Sequence, residues 1–295
     1  MSERTQPVIA DDLERCAEPA NAFSVVANET RLSILMALWR ADGVTSFTDL
    51  HRAVGLRDSA QFNYHLQKLT DAFVRPREGG YELRYAGEKV VRAVLSGSFV
   101  ETPAIEPFAL DASCVACGRD LRARYADEQF SIDCVSCGTR FGRYPFPPGG
   151  FTDRTRAEVM DAFNQRVRHL HCLAADGVCH ECNGRMRTRF VRDDERFAAG
   201  VSVTHRCEQC RHRLHSPIGL TLLDHSGVVA FHREHGVDLC RVPYWRLAWC
   251  VGDDALTVLS EDPWEVRIDV SLGDETLSVW IDETLAVTAM DRTGD

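Results

Sequence analysis

Four cysteine pairs of the form C-x-x-C constrain this chain more than any other feature: Cys114 with Cys117, Cys134 with Cys137, Cys179 with Cys182, and Cys207 with Cys210. Sixteen residues separate the first two pairs and 24 the last two, the first within and the second slightly beyond the spacing of a ribbon-type zinc site. Two residues between thiolates let one turn supply two ligands. Gly118 and Gly138, each following a second cysteine, relieve crowding where the backbone folds toward the sulfurs. Two such turns facing each other complete a tetrahedral four-thiolate site. Reactive or disulfide pairs, and iron in the same geometry, are the competing readings. Four thiolates fill a zinc shell, so the expectation is two zinc ions per chain, structural and not catalytic, ordering short strands that bury little apolar surface. The first cysteines of the two modules lie 65 residues apart and the third cysteines 73 apart. The second module thus reads as the first with eight residues added, as an internal duplication would leave it.

The chain of 295 residues is long enough for two domains at about 150 residues each. The first eighteen residues lack the apolar stretch of about 7 to 15 residues that a secretion signal needs, and no run of about 18 apolar residues predicts a membrane span. A cytoplasmic location with no membrane association is expected, where paired cysteines bind metal more readily than they form disulfides. Cys16, Cys172, Cys240 and Cys250 have no C-x-x-C partner and are expected to be buried free thiols. The histidine pairs 169/171, 212/215 and 232/235 have spacings common in helices and strands.

Ahead of the cysteines, helical periodicity recurs. Pro19 to Ala27 reads as a short helix with proline in its first turn. Asn28 caps a helix from Glu29 to Ala41 that turns Leu32, Leu35, Met36 and Trp39 inward and stops at Asp42-Gly43. A third helix follows Ser46, burying Phe47, Leu50 and Val54 and ending at Gly55. A fourth follows Asp58 or Ser59 after a tight turn, with Phe62, Leu66, Leu69 and Phe73 inward. Val74 to Tyr85 reads as a hairpin around Gly79-Gly80, and Gly87 to about Phe99 as a last helix. This order predicts a winged helix-turn-helix.

If the fourth helix packs that way, Arg57, Gln61, Tyr64, Gln67 and Lys68 face outward with Asn63 on the flank. Gln and Asn can pair twice with adenine, Lys with guanine or phosphate, and Tyr with phosphate or a thymine methyl. Arg75, Arg77 and Arg84 on the hairpin would then be wing contacts. Residues 19–100 carry ten basic and eight acidic side chains, net +2, within a chain of net charge −10. Positive charge is therefore concentrated where double-stranded DNA would sit.

Ala27-Asn28-Glu29-Thr30-Arg31-Leu32-Ser33-Ile34-Leu35, together with Asn63-Tyr64-His65-Leu66-Gln67-Lys68-Leu69 and the Gly79-Gly80-Tyr81-Glu82-Leu83 wing, resembles the ArsR-like winged-helix regulators. The resemblance covers about 80 residues. The whole chain is similar to a haloarchaeal type in which such a head precedes cysteine-rich modules. The bias of its bases, with only Lys68 and Lys89 among 34, points to a high-GC, salt-loving host. The resemblance implies a homodimer paired through the first and last helices, around Ala20 to Val26 and at Val90, Val94 and Leu95, set on a near-palindromic operator. The family's metal-sensing cysteine pair in the third helix, and the acid and histidine ligands in the last, have no counterpart here.

The expected architecture is α+β. Residues 1–18 are a flexible N-terminus, 19–100 the winged helix-turn-helix domain and 101–113 a linker or edge strand. A first zinc-ribbon-like module spans 114–144, a break and connecting helix 145–178 (helical from Arg154 to about Ala175), and a second ribbon-like module 179–216. Residues 217–295 are a mixed, β-rich region, with a helix from Val228 to His235 and three or four strands from Ala255 to Met290. The expected function is a sequence-specific transcriptional regulator whose C-terminal region takes a protein partner or small effector. The competing class is a scaffold docking on transcription machinery. No nucleophile-base motif, phosphate loop or open metal site argues for an enzyme.

Overall fold

The computed structural model describes residues 19–192, 200–252 and 254–294, so the expectations for 1–18 and Cys16 lie outside the described residues. The chain is α+β and divides into two compact units, Met1–Glu101 and Thr102–Asp295.

In the first unit, each of the first helices after the opening one starts at a side-chain cap. Helix α1 spans Pro19–Val26. Helix α2 (Glu29–Ala41) begins where Asn28 Oδ1 accepts from the Arg31 backbone N–H at 3.1 Å. Helix α3 (Phe47–Val54) is capped by Ser46 and closed by Gly55 at φ 73°. Helix α4 (Ser59–Leu69) begins where Asp58 accepts from Ala60 N and Gln61 N at 2.8 and 3.2 Å. Strands β1 (Val74–Arg77) and β2 (Gly80–Leu83) form an antiparallel hairpin, and α5 (Tyr85–Leu95) closes the unit. Leu50, Phe62, Leu66, Leu69, Phe73 and Val74 are buried around α2.

Three details depart from the sequence reading. The fully covered residues of α2 are Ile34, Leu35, Ala37 and Leu38, while Leu32, Met36 and Trp39 are half-buried. The helix packs against α3, α4, α5 and β2 together, so its covered face is wider and rotated from a single stripe. Helix α5 starts at Tyr85 and ends at Leu95, not at Phe99, because Gly97 takes φ 75° and turns the chain out of the helix. The hairpin turn is Glu78-Gly79, and Gly80 belongs to β2. Thr45 and Tyr81 exchange backbone hydrogen bonds at 2.9 Å beside it, and a Cβ on Gly80 would stand 2.1 Å from Thr45 O. Gly80 is thus more than a turn: its bare backbone lets the α2–α3 connection join the hairpin.

The second unit is built from three antiparallel meanders. The first comprises β3 (Phe108–Ser113), β4 (Asp120–Ala126), β5 (Gln129–Cys134) and β6 (Arg140–Pro145). The edge strand β3 takes up half of what reads as a linker, with Phe108, Leu110 and Ala112 alternating inward. The second comprises β7 (Met186–Arg192), β8 (Val201–Cys207) and β9 (Arg213–Pro217). The third comprises β10 (Leu256–Glu261), β11 (Trp264–Leu272), β12 (Glu275–Asp282) and β13 (Val287–Thr293). A capping box at Thr155 and Glu158 starts α6 (Arg156–Ala175), whose Val159, Phe163, Val167 and Leu170 are buried as their spacing predicts. Residues 218–251 are not strand: α7 (Ser226–Glu234), α8 (Ala248–Val251) and short 3-10 turns bury Tyr244, Trp245 and Trp249 in the core shared by the whole unit.

The close approach at Gly80 generates a prediction. Gly80→Ala should destabilise the first unit by about 1–3 kcal/mol, as overpacking against rigid backbone does. The check is the urea unfolding midpoint of the full chain, with the zinc content unchanged.

Candidate functional site

Each C-x-x-C turn is built the same way. The backbone N–H of its first cysteine donates to the carbonyl five residues on: Cys114 to Arg119 at 2.7 Å, Cys134 to Thr139 at 2.9 Å, Cys179 to Gly184 at 2.9 Å and Cys207 to His212 at 2.9 Å. The residue after the second cysteine is left-handed in all four: Gly118 at φ 72°, Gly138 at 74°, Asn183 at 58° and Arg211 at 63°. Two of these are not glycine, and only the shared frame of the four turns marks them in the sequence.

The turns meet in pairs. In the first centre Cys114 Sγ is 3.7 Å from Cys137 Sγ, and Cys117 Sγ is 3.5 Å from Cys134 Sγ. In the second, Cys179 and Cys210 are 3.7 Å apart and Cys182 and Cys207 3.5 Å. Within each centre all four sulfurs lie within 4.8 Å of one another. A tetrahedron with Zn–S bonds of about 2.3 Å has S···S edges of about 3.8 Å, whereas a disulfide needs about 2.05 Å. The two tetracysteine clusters therefore fit two structural zinc sites per chain, each with a full shell.

The thiols are primed unevenly. Hydrogen bonds from the Thr139 hydroxyl and backbone draw Cys137 down to about 6, while burial pushes Cys114 up to about 12. Backbone N–H donation from Cys210 draws Cys207 down to about 6. Four sulfurs this close cannot all ionise without a cation, and binding metal displaces the remaining protons.

The strands preserve the repeat. Leu121, four residues after Cys117, pairs with Cys134, and Met186, four after Cys182, pairs with Cys207. The β4–β5 connection is two residues long and the β7–β8 connection eight, so six of the eight added residues fall between the strands.

The other cysteines and histidines go elsewhere. Cys250 is buried, Cys172 is half-buried and pushed up to about 12 by burial, and Cys240 is exposed, against expectation, on the loop after α7. His171 is fully buried, 2.8 Å from the Tyr144 hydroxyl, and desolvation holds it well below the ordinary histidine value. His232 and His235 lie 2.8 Å from the carbonyls of Val228 and Phe231. His212 meets not His215 but His180, which the sequence spacing did not pair with it. Burial, with His212 alongside, lowers His180 as well.

On the first unit, Arg57, Gln61, Asn63, Tyr64, Gln67 and Lys68 are all exposed, the α4 residues among them opposite the buried Phe62, Leu66 and Leu69. Lys68 Nζ lies 5.5 Å from the centre of the Tyr64 ring. Arg75 and Arg77 are exposed, and both donate to the same Glu82 oxygen, at 2.5 and 2.6 Å. Val90 packs on its own unit's core, Val94 is half-buried and Leu95 is exposed. Among the described residues no helix is long and apolar enough to cross a membrane.

The fold and centres define a two-unit α+β protein whose second unit carries paired tetracysteine ribbons. That second unit places the chain in a family: it belongs to the family described as domain of unknown function DUF7351, whose model matches residues 111–287. The model of a second domain of unknown function, DUF7347, matches residues 19–94. No curated protein and no solved structure matches the chain.

Two outcomes follow from the turns. Cys114→Ser or Cys179→Ser should lower the zinc content by one ion per chain and unfold the affected ribbon, read by elemental analysis and circular dichroism. Arg211→Gly should stabilise the second unit by about 1 kcal/mol, and Asn183→Gly by less, because asparagine tolerates the left-handed region better than arginine. Thermal unfolding of the zinc-loaded chain orders the two.

Proposed function

We propose that this chain is a sequence-specific DNA-binding transcriptional regulator. Its first unit is a winged helix-turn-helix, and its second, ordered by two zinc ions, is the module that receives a protein partner or an effector. The observation that carries this reading is α4. The helix follows α3 after the four-residue connection Gly55–Asp58, gives one face to the core, and leaves Gln61, Asn63, Tyr64, Gln67 and Lys68 exposed on the other. These are side chains that read base edges and phosphates in a major groove. The hairpin beyond it carries Arg75 and Arg77 as a wing, and the likeness to ArsR-like regulators supports the same assignment.

The reading includes a homodimer. Helix α1 is apolar yet buries none of its residues fully, and Phe23 on it and Leu95 on α5 are 74% and 48% exposed. A second copy would cover that surface and set two α4 helices on adjacent half-sites. The protein would act in the cytoplasm by occupying promoters.

One observation favours a second reading, in which the first unit docks on protein and has no useful DNA affinity. Glu82 engages both Arg75 and Arg77, which removes free positive charge from the wing.

Selection from random duplex DNA separates the two. A regulator enriches a near-palindromic site, and Tyr64→Ala with Lys68→Ala weakens binding to it on the order of tenfold or more, each lost contact being worth about 1 kcal/mol or more. An absence of sequence preference would instead establish the docking reading. Glu82→Gln frees the two wing arginines, so it should tighten binding and steepen the dependence of log affinity on log salt by up to about 1.8, at roughly 0.9 per phosphate. Fluorescence anisotropy across a salt series measures both.

A further inference from the structure

His180 lies between the ligands Cys179 and Cys182, and His212 lies two residues after Cys210. Because the two turns face each other across the second centre, the two imidazoles come together edge to face, their centroids 4.5 Å apart and their planes at 85°. Glu181 joins them, its Oε1 standing 3.3 Å from His180 Nε2. One ring nitrogen from each histidine and one Glu181 oxygen lie within 4.8 Å of one another.

The imidazoles are poorly served by the protein. The His180 side chain is only 9% exposed, and His180 Nδ1 and His212 Nε2 are buried with no hydrogen-bond partner. A buried polar group left unpaired costs about 1–3 kcal/mol, and such groups in a folded protein are usually explained by an ion or an ordered water. Two imidazoles and a carboxylate are the donor set of an open zinc-type site. Around a metal with bonds of about 2.05 Å, tetrahedral ligand atoms are about 3.3 Å apart, which His180 Nε2 and Glu181 Oε1 already match. The ligand from His180 is then Nε2, and the unpaired buried nitrogen that the ion would serve is His212 Nε2. The backbones of both histidines are fixed by the cysteine turns, while Glu181, with a side chain 55% exposed, is free to adjust. Three protein ligands leave a fourth position. The three side chains line a cleft of about 930 Å³ together with Arg140, Arg143, Arg166 and Arg213, a setting suited to an anionic fourth ligand.

We propose that His180, Glu181 and His212 form a third metal site on this chain, one that takes an exchangeable divalent transition ion of the zinc type. It differs in kind from the two tetracysteine centres: its shell is incomplete, its ligands are nitrogen and oxygen, and it faces a cleft. The proposal is independent of whether the first unit binds DNA.

Cobalt(II) titration of the full chain, with both tetracysteine centres already holding zinc, tests it. The expected result is one further equivalent bound, with visible d–d absorption and no sulfur-to-cobalt charge-transfer band, while elemental analysis still counts two zinc ions per chain. Glu181→Gln and His212→Ala should each weaken that equivalent on the order of tenfold or more and leave both zinc ions in place. Retained zinc distinguishes a lost third site from a lost ribbon, and Glu181→Gln, at an exposed side chain, covers the case in which His212→Ala fails to fold. Saturation at two metals per chain would overturn the proposal. So would a third equivalent whose affinity neither variant lowers, or cobalt that binds only by displacing zinc from sulfur.

Discussion

The second unit depends on bringing four sulfurs to within 3.5 to 3.7 Å of their nearest partners, twice. Thiolates at that separation repel one another, and thiols there lose hydration without gaining strong hydrogen bonds, so the arrangement is favourable only around a cation. Once closed, each centre fixes the register of its hairpin at Leu121 opposite Cys134 and at Met186 opposite Cys207. Helix α6 is then seated by buried polar ties. Asn164 Oδ1 accepts from Tyr244 N at 3.0 Å, Arg168 donates to Leu223 O at 3.0 Å, and His171 meets the Tyr144 hydroxyl on β6. The ribbons, this helix and the β10–β13 meander share one core, so the metal centres act on the packing of the whole unit as well as on their own loops.

The first unit is held by different means. Side-chain caps at Asn28, Ser46 and Asp58 define where its helices begin, and α2 is wrapped by its neighbours on several sides. Polar termini and apolar burial suffice where the chain is helical. The ribbon strands bury more apolar surface than their length suggests, Leu121, Phe130, Ile132 and Val203 among it, but the C-x-x-C turns at their ends close only on the metal.

That contrast also governs what could be read from the chain in advance. Caps and C-x-x-C spacings are local signals, so the starts of α2, α3 and α4 and both cysteine centres were legible, whereas α5, with no side-chain cap, starts at Tyr85 and not at Gly87. The end of α5 was missed although Ser96-Gly97-Ser98 breaks the apolar positions ahead of Phe99 and Val100, and a glycine at that point is a local stop signal. Within residues 218–251 the helix expected over Val228 to His235 is α7, but around it Tyr244, Trp245 and Trp249 follow no helical or strand period and are buried by partners far along the chain, so their place in the core could not be inferred. His180 and His212 were separated by sequence distance. Yet two turns that must face across a metal also bring the residues flanking their ligands together, and that consequence of the cysteine pattern was open to inference. Asn183 and Arg211 similarly stand out only once the four turns are superposed in register.

The scarcity of lysine gives the exposed face of α4 a separate chemistry. Lys68 and Lys89 are the chain's only lysines, and each lies over a tyrosine one helical turn away, Tyr64 and Tyr85. A guanidinium is not a target for acylation under conditions that modify an ammonium, so acylation at Lys68 would neutralise the only ammonium on that face. Among the side chains, an amine-directed reagent can acylate only these two lysines, and one of them reports directly on whether α4 is covered.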